Sequence, residues 1–386
     1  MMRERASADA TAMDSPRHWL AAVVSRERAI DPSAHSNEQA FDEQPLDELI
    51  EVAEFEGLLP LLDWRLRSHP EHSALPEAFR QQLASHARAS AAQSMLDARE
   101  LSRVCHALDE AGFQTLLLKG PAFARWLYPQ PYLRLSDDVD LLFASRSEAD
   151  RAALVMEQLG YELAFSPGSM VYEMSCRLFV DGELRSELDL HSRLINQEAY
   201  ADRLAFDELW ATSIVLEGLP ASTRGLSRMH SLLHACMHRA HDLSLHRPDR
   251  LKWLYDIHLL IAGMDAAAWA AFGDAARDKQ LCGVCLRSFD DSATWFASVI
   301  PEDVLQTMRQ AARTESLDSR HLGDWRYMQW QNFKALPDLR ARVRWLSERL
   351  MPSRSHLEEL HGEAASLLTL VFRRLRRGVA RWCGRE

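Results

Sequence analysis

The 386-residue chain has no run of roughly 20 apolar residues, the length a membrane-spanning helix requires. Its start, MMRERASADATAMDSPRHWL, carries charge but no apolar stretch of secretory-leader length. The expectation is a soluble cytoplasmic protein without a transmembrane segment. Positive charge is in deficit: 45 Lys and Arg stand against 56 Asp and Glu, a net charge of −11. That balance excludes a general grip on nucleic acid while leaving room for a local basic groove that holds phosphates.

The signatures of structural zinc are also missing. The six cysteines are scattered, and Cys282 and Cys285 in LCGVC form a lone CxxC with no second pair or CxxH. Both are expected to be reduced and partly buried on a helix, where Cys behaves as a small apolar residue. His230, His234 and His238 recur every fourth residue along one helical stripe, with His241 close by, but no HExxH glutamate accompanies them. A pocket wall is a better reading than a zinc centre, and a plain surface stripe a better one still.

What is present is a composition 47% hydrophobic, enough for a real core in two or three packed units. Residues 1–16, rich in Ala, Ser and charge, are expected to fray. Residues 17–112 carry a helical pattern: EQPLDELIEVAEFEGLLPLLDWRLRS spaces its apolar residues by three and four, and a long Ala- and Leu-rich run ends at Gly112. Residues 113–200 change texture. TLLLKG reads as a short strand closed by Gly120, and Pro121 suits the first turn of a helix, PAFARWLY. LRLSDDVDLLF reads as a second strand, SRSEADRAALVMEQLGY as a helix, and Asp181-Gly182 as the turn of a hairpin. Residues 201–386 turn helical again and end in FRRLRRGVARW, a basic amphipathic segment whose default is a solvated face and whose alternative is contact with lipid or an acidic partner. The fold class is α+β: a small mixed sheet between helical N- and C-terminal regions.

Three acids inside a hydrophobic strand need a reason, because an unpartnered carboxylate taken out of water costs several kcal/mol or is neutralised. Alternation sends Asp138 and Asp140 to one face, while Asp137 sides with Val139 and reads as an edge or turn residue. In ELRSELDLH, Leu184, Leu188 and Leu190 share one face and Glu187, Asp189 and His191 the other, so Asp189 is free to join the pair if the strands are neighbours. Hard divalent cations are the simplest relief for clustered carboxylates, and Mg²⁺ held by acids plus substrate phosphates fits best.

The ordering of Lys119-Gly120, a helix, Arg134, Asp-Val-Asp and a later acid resembles the DNA polymerase β-like nucleotidyltransferase superfamily. LLLKGPAFARWLYPQPYLRLSDDVDLLF and ELDLHSRL, with GLLPLLDWRL before and RLKWLYDIHLL after, look like its uncharacterised bacterial nucleotidyltransferase family over about Trp19 to Ser353. The resemblance implies metal-dependent transfer of a nucleoside monophosphate from a nucleoside triphosphate such as ATP, with two Mg²⁺ (or Mn²⁺) ions held by Asp138, Asp140 and Asp189. Asp189 would help activate an acceptor of unread identity: a small molecule, sugar phosphate, peptide or protein. The superfamily usually has Gly-Ser or Gly-Gly where this chain has Gly120-Pro121, and proline supplies no N–H. Lys119 and Arg134 are the expected cationic contacts to the triphosphate in its place, beside Gly120. The resemblance also places His238, Lys252 and Asp256, with His191, around the substrate pocket. The rival readings are a degenerate core that binds nucleotide or a partner protein without chemistry, and a metal-dependent phosphohydrolase that uses water.

Overall fold

The computed structural model describes residues 16–25, 46–68, 72–73, 75–164 and 172–350. Residues 1–15 and the basic segment near the end of the chain lie outside the described residues. Helices α1 (Pro16–Ser25), α2 (Leu46–Phe55), α3 (Leu59–Arg67) and the long α4 (Glu77–Glu110) come first. The mixed core follows: β1 (Thr115–Leu117), α5 (Lys119–Trp126), β2 (Val139–Leu142), α6 (Arg146–Gln158), β3 (Glu162–Leu163), β4 (Glu173–Val180) and β5 (Glu183–His191). After short helices α7 (Glu198–Ala201) and α8 (Phe206–Ala211) come β6 (Ile214–Val215) and β7 (Thr223–Gly225). Then α9 (Arg228–Ser244), α10 (Leu251–Ala262), α11 (Ala266–Asp278), α12 (Cys282–Phe296), α13 (Glu302–Ala312), α14 (Trp325–Ala335) and α15 (Leu339–Leu350) complete the described chain. Among the described residues no helix is long and apolar enough to cross a membrane.

The fold class is α+β. The seven strands form one mixed sheet in the order β3-β4-β5-β2-β1-β7-β6. β2 runs parallel to β5 and β1 parallel to β7, and the other pairs are antiparallel. Three differences from the sequence reading have local causes. The strand expected over LRLSDDVDLLF is confined to Val139–Leu142, because Pro131–Leu133 form a 3₁₀ turn and Arg134 folds away toward α10. β6 and β7 lie beyond residue 200, in the segment expected to be helical, since strands this short show no period. Leu184 is 52% exposed: a bulge at Leu178/Phe179 breaks the alternation that would have buried it with Leu188 and Leu190. Asp181 and Gly182, at φ +53° and +82°, make the expected hairpin turn.

Alternation along the strands divides the apolar interior in two. Leu117, Leu141, Leu188 and Leu190 pack on α4 and α6, against Val104, Leu108, Ala152 and Met156. Leu116, Leu118 and Leu142 face the other way, into a larger core where Leu20 and Leu62 of the N-terminal helices meet Leu232, Leu254 and Phe289 of the C-terminal ones. Emptying one such leucine position costs about 2–5 kcal/mol. Cys282 and Cys285 are buried in α12 with free thiols, as expected of a structural pair.

A buried ion pair joins the sheet to this helical body. The Nε and Nη2 groups of Arg134 donate to Asp256 on α10 at 2.8 and 2.7 Å, and its Nη1 donates to the Leu135 carbonyl. Tyr128 donates its hydroxyl to the same carboxylate at 2.7 Å. Side-chain exposures of 4% and 3% leave water little access, so removing one partner strands the other in a dry site. Asp256→Ala is expected to lower stability by about 3–5 kcal/mol in urea unfolding, against a loss under about 1 kcal/mol for a solvent-exposed pair such as Arg146–Asp150.

Candidate active site

The parallel register of β2 and β5 sets Asp140 beside Asp189 and Leu142 beside His191. Asp140 shares a face with Leu142, so these polar side chains project toward the helical body rather than toward α4 and α6. Ligand atoms of Asp140, Asp189 and His191 lie within 4.8 Å of one another, the one such cluster among the described residues.

Asp140 is the most buried of the acids. Its Oδ1 receives His191 Nε2 at 2.8 Å and Lys119 Nζ at 3.0 Å, while Oδ2, also buried, has no hydrogen-bond partner. Burial alone would raise its pKa, but Lys119 and His191 outweigh burial and hold the carboxyl well below the ordinary carboxylate range. For His191 burial works downward and the Asp140 bond wins, so the imidazole is raised. Asp138, just ahead of β2, is raised chiefly by the charge of Asp140 and secondly by burial. Asp189 is pushed up to about 7, first by burial and then by Glu173, although Ser175 Oγ donates to it at 2.6 Å. Neighbouring carboxyls thus differ in protonation near neutral pH, the arrangement that separates acid and base roles.

A cavity of about 270 Å³ opens between this end of the sheet and helices α9 and α10. Lys119, Gly120, Arg134, Asp138, His238, Lys252 and Asp256, all singled out from the sequence, line it. Asp140, Asp189 and His191 are not on its wall; Lys119, which reaches from the cavity to Asp140, connects the two. Asp138 thus borders the cavity while Asp140 and Asp189 lie off its wall, with the charge of Asp140 the largest influence on Asp138, and His191, expected around the substrate, donates to Asp140. Arg134 lines the cavity with its fork committed to Asp256. Lys252 pairs with Asp137 at 3.0 Å, and burial pulls its pKa down.

Lys119 takes up a left-handed backbone at φ +48°, where α5 begins. Gly120 lets the turn approach Ser136 closely: a Cβ there would lie 1.7 Å from Ser136 Oγ and 3.1 Å from its Cβ, so Ser136 would have to move. A hydroxyl thus stands at the turn, contributed by Ser136 from farther along the chain and not by the residue after the glycine. Ser136, Asp242, Arg247, Arg250 and Trp253 also line the cavity and were missed in the sequence. The available signal was proximity, since Ser136 precedes the acids and Asp242 follows His238 by one helical turn. Burial lowers His234 to about 3 and His241 to about 4, and it holds His238 well below 6.5, so the stripe on α9 is neutral at pH 7.

A carboxyl raised to about 7 makes the folded chain hold a proton that the unfolded chain releases near 3.8. Its contribution to stability is therefore fully present at low pH and is lost as pH rises through about 7. In buffers with a chelator, wild-type stability should fall relative to Asp189→Asn between pH 4 and 7, then run parallel above it. Parallel melting profiles throughout that window would contradict the assignment.

An antigenic nucleotidyltransferase-like protein from Paracoccidioides brasiliensis has a solved structure similar to this one at 13% identity and a TM-score of 0.32. The match covers 54% of this chain and 96% of that one. Among proteins with curated descriptions, none matches. The pattern of the family described as uncharacterised nucleotidyltransferase matches residues 42–319, most of the chain, and the chain belongs to that family.

Proposed function

We propose that the chain moves a nucleoside monophosphate from a nucleoside triphosphate to an acceptor hydroxyl, with a divalent metal ion and release of pyrophosphate. The observation that carries this reading is the buried, unpartnered Oδ2 of Asp140 beside Asp189 on parallel neighbouring strands. A buried carboxylate oxygen with no donor is costly, and a hard cation is the partner that a cluster of oxygen ligands selects. Asp138, Asp140 and Asp189 would hold it, with His191 and Lys119 fixing the orientation of Asp140. Bound Mg²⁺ or Mn²⁺, expected as two ions, would polarise the phosphoryl oxygens and acidify the attacking hydroxyl.

The chain's own groups supply the rest. Lys119, Arg247, Arg250 and Lys252 give the cavity cations for a triphosphate, and Trp253 offers an aromatic surface beside them. Asp189, with its pKa near 7, suits a general base that takes the acceptor's proton at neutral pH. The hydroxyl oxygen forms a bond to the α-phosphorus, the bond from that phosphorus to the β-bridging oxygen breaks, and pyrophosphate carries away the electron pair.

A second reading, a degenerate scaffold that binds nucleotide or a partner without chemistry, is favoured by one observation: Lys119 and His191 already counterbalance Asp140. Incubation with α-labelled ATP, GTP, CTP and UTP, Mg²⁺ or Mn²⁺, and cell extract separates the two. Label should move to an acceptor, stop on chelation, and fall by about 10²–10⁴-fold in Asp189→Asn, the usual contribution of a general base. Asp138→Asn should weaken metal-dependent nucleotide binding in calorimetry without stranding the buried cations, as Asp140→Ala would. If no label moves while metal-dependent nucleotide binding persists, the scaffold reading holds; if neither occurs, both readings fail.

A further inference from the structure

A second cavity, of about 600 Å³, lies on the far side of the segment that carries the acids. Its walls are α4, α5, the chain from Arg134 to Val139, and the part of β5 ahead of its pairing with β2. Ser136, Asp137 and Asp138 line both cavities, so Asp138 stands at the partition between them. The volume falls in the range of small-molecule sites, and α4 lines it with the neutral hydrogen-bonding groups of Ser90, Gln93 and Ser94.

The charges on these walls are nearly all matched within the protein. Asp97 pairs with Arg185 at 3.0 Å, Glu187 with Arg177 at 2.7 Å, Arg134 with Asp256 at 2.7 Å and Asp137 with Lys252 at 3.0 Å. Asp138, at the partition, and Arg125 are the exceptions, and Arg125 is the one cation among them. It is half-buried in the last turn of α5, its Nη1 donates to the Pro121 carbonyl at 2.9 Å, and among the described residues no carboxylate pairs with it. Burial lowers its pKa, the electrostatic mark of a cation without a counter-ion. Tying up one donor of a five-donor fork leaves a bidentate face for a phosphate or carboxylate.

We propose that this cavity is the acceptor subsite, and that it takes a small hydroxylated molecule bearing one anionic group, such as a sugar phosphate or sugar acid, with Arg125 receiving the anion. The assignment rests on the nucleotidyl-transfer reading. In it, the nucleotide enters from the α9–α10 side and the acceptor hydroxyl from the α4–β5 side, and they meet at the partition formed by Asp138, on the strand face that it shares with Asp140 and Asp189. One cation without a carboxylate partner, a neutral α4 wall and the acid Asp138 at the partition together favour a single anion over a polyanion.

The test is calorimetry on the full chain with Mg²⁺ and a non-hydrolysable ATP analogue, titrating glucose 1-phosphate, ribose 5-phosphate, glucuronate and uncharged glucose. At least one anionic probe should bind, and glucose should bind about tenfold or more weakly than that probe, the scale of one charged hydrogen-bonded contact. The two phosphates against glucuronate show which anion the fork prefers. Arg125→Gln, and separately Ser94→Trp, which fills the cavity from α4, should each weaken the anionic probe by about tenfold and leave the ATP analogue within about twofold. A chain that binds the analogue but no anionic probe, or variants that keep the probe's affinity, would overturn the assignment alone. A wild-type chain that binds no nucleotide would overturn the functional reading, and the acceptor role with it.

Discussion

The charge of Asp140 is the constraint around which the site is built. A carboxylate at 1% exposure on a central strand is tolerated only with compensation at close range. The chain supplies that compensation from two directions: Lys119 from the turn that ends β1, and His191 from the end of β5. Both requirements reach into the fold. Lys119 reaches Asp140 from a left-handed turn that only a small neighbour, Gly120, lets pack against Ser136. His191 reaches Asp140 because β5 runs parallel to β2 in a register that also delivers Asp189.

The same geometry makes the strand face a junction. Along β2 the sheet's opposite face is closed by α4 and α6, so Asp140 and Asp189 serve the side toward the helical body, while Asp138, just ahead of the strand, also borders the α4 side. There the Arg134–Asp256 pair fixes α10 against the segment leading into β2, and Glu56 fixes the start of α10 to the N-terminal helices by accepting the Leu251 N–H at 2.6 Å. Family membership over residues 42–319 is consistent with this dependence, since the matched region includes flanking helices as well as the sheet. A nucleotidyltransferase sheet alone would lack the wall that carries His238, Lys252 and Trp253.

Much of this was legible in the sequence, for identifiable reasons. Period-two alternation separated Asp137 from Asp138 and Asp140 and put Asp189 with His191, because strand geometry is local. Gly112 and Asp181-Gly182 announced element ends for the same reason. Pairings between distant segments were not legible. Arg134 reads as a phosphate contact from its neighbours, yet it engages Asp256, 122 residues away. His191 reads as a pocket residue until the register sets it on Asp140. Arg125 carries no signal at all in the sequence, since its interest lies in which partners it lacks.

The proposed transfer requires Asp140 and Asp189 to hold a metal ion whose shell a nucleotide completes. A crystal structure with Mn²⁺ and a non-hydrolysable ATP analogue, recorded at a wavelength where manganese scatters anomalously, tests it directly. The expected result is an anomalous peak between the two carboxylates, with Asp140 Oδ2 engaged and the triphosphate lying along Lys119. A bound nucleotide with no manganese at these carboxylates, and Asp140 held by Lys119 and His191 alone, would contradict it.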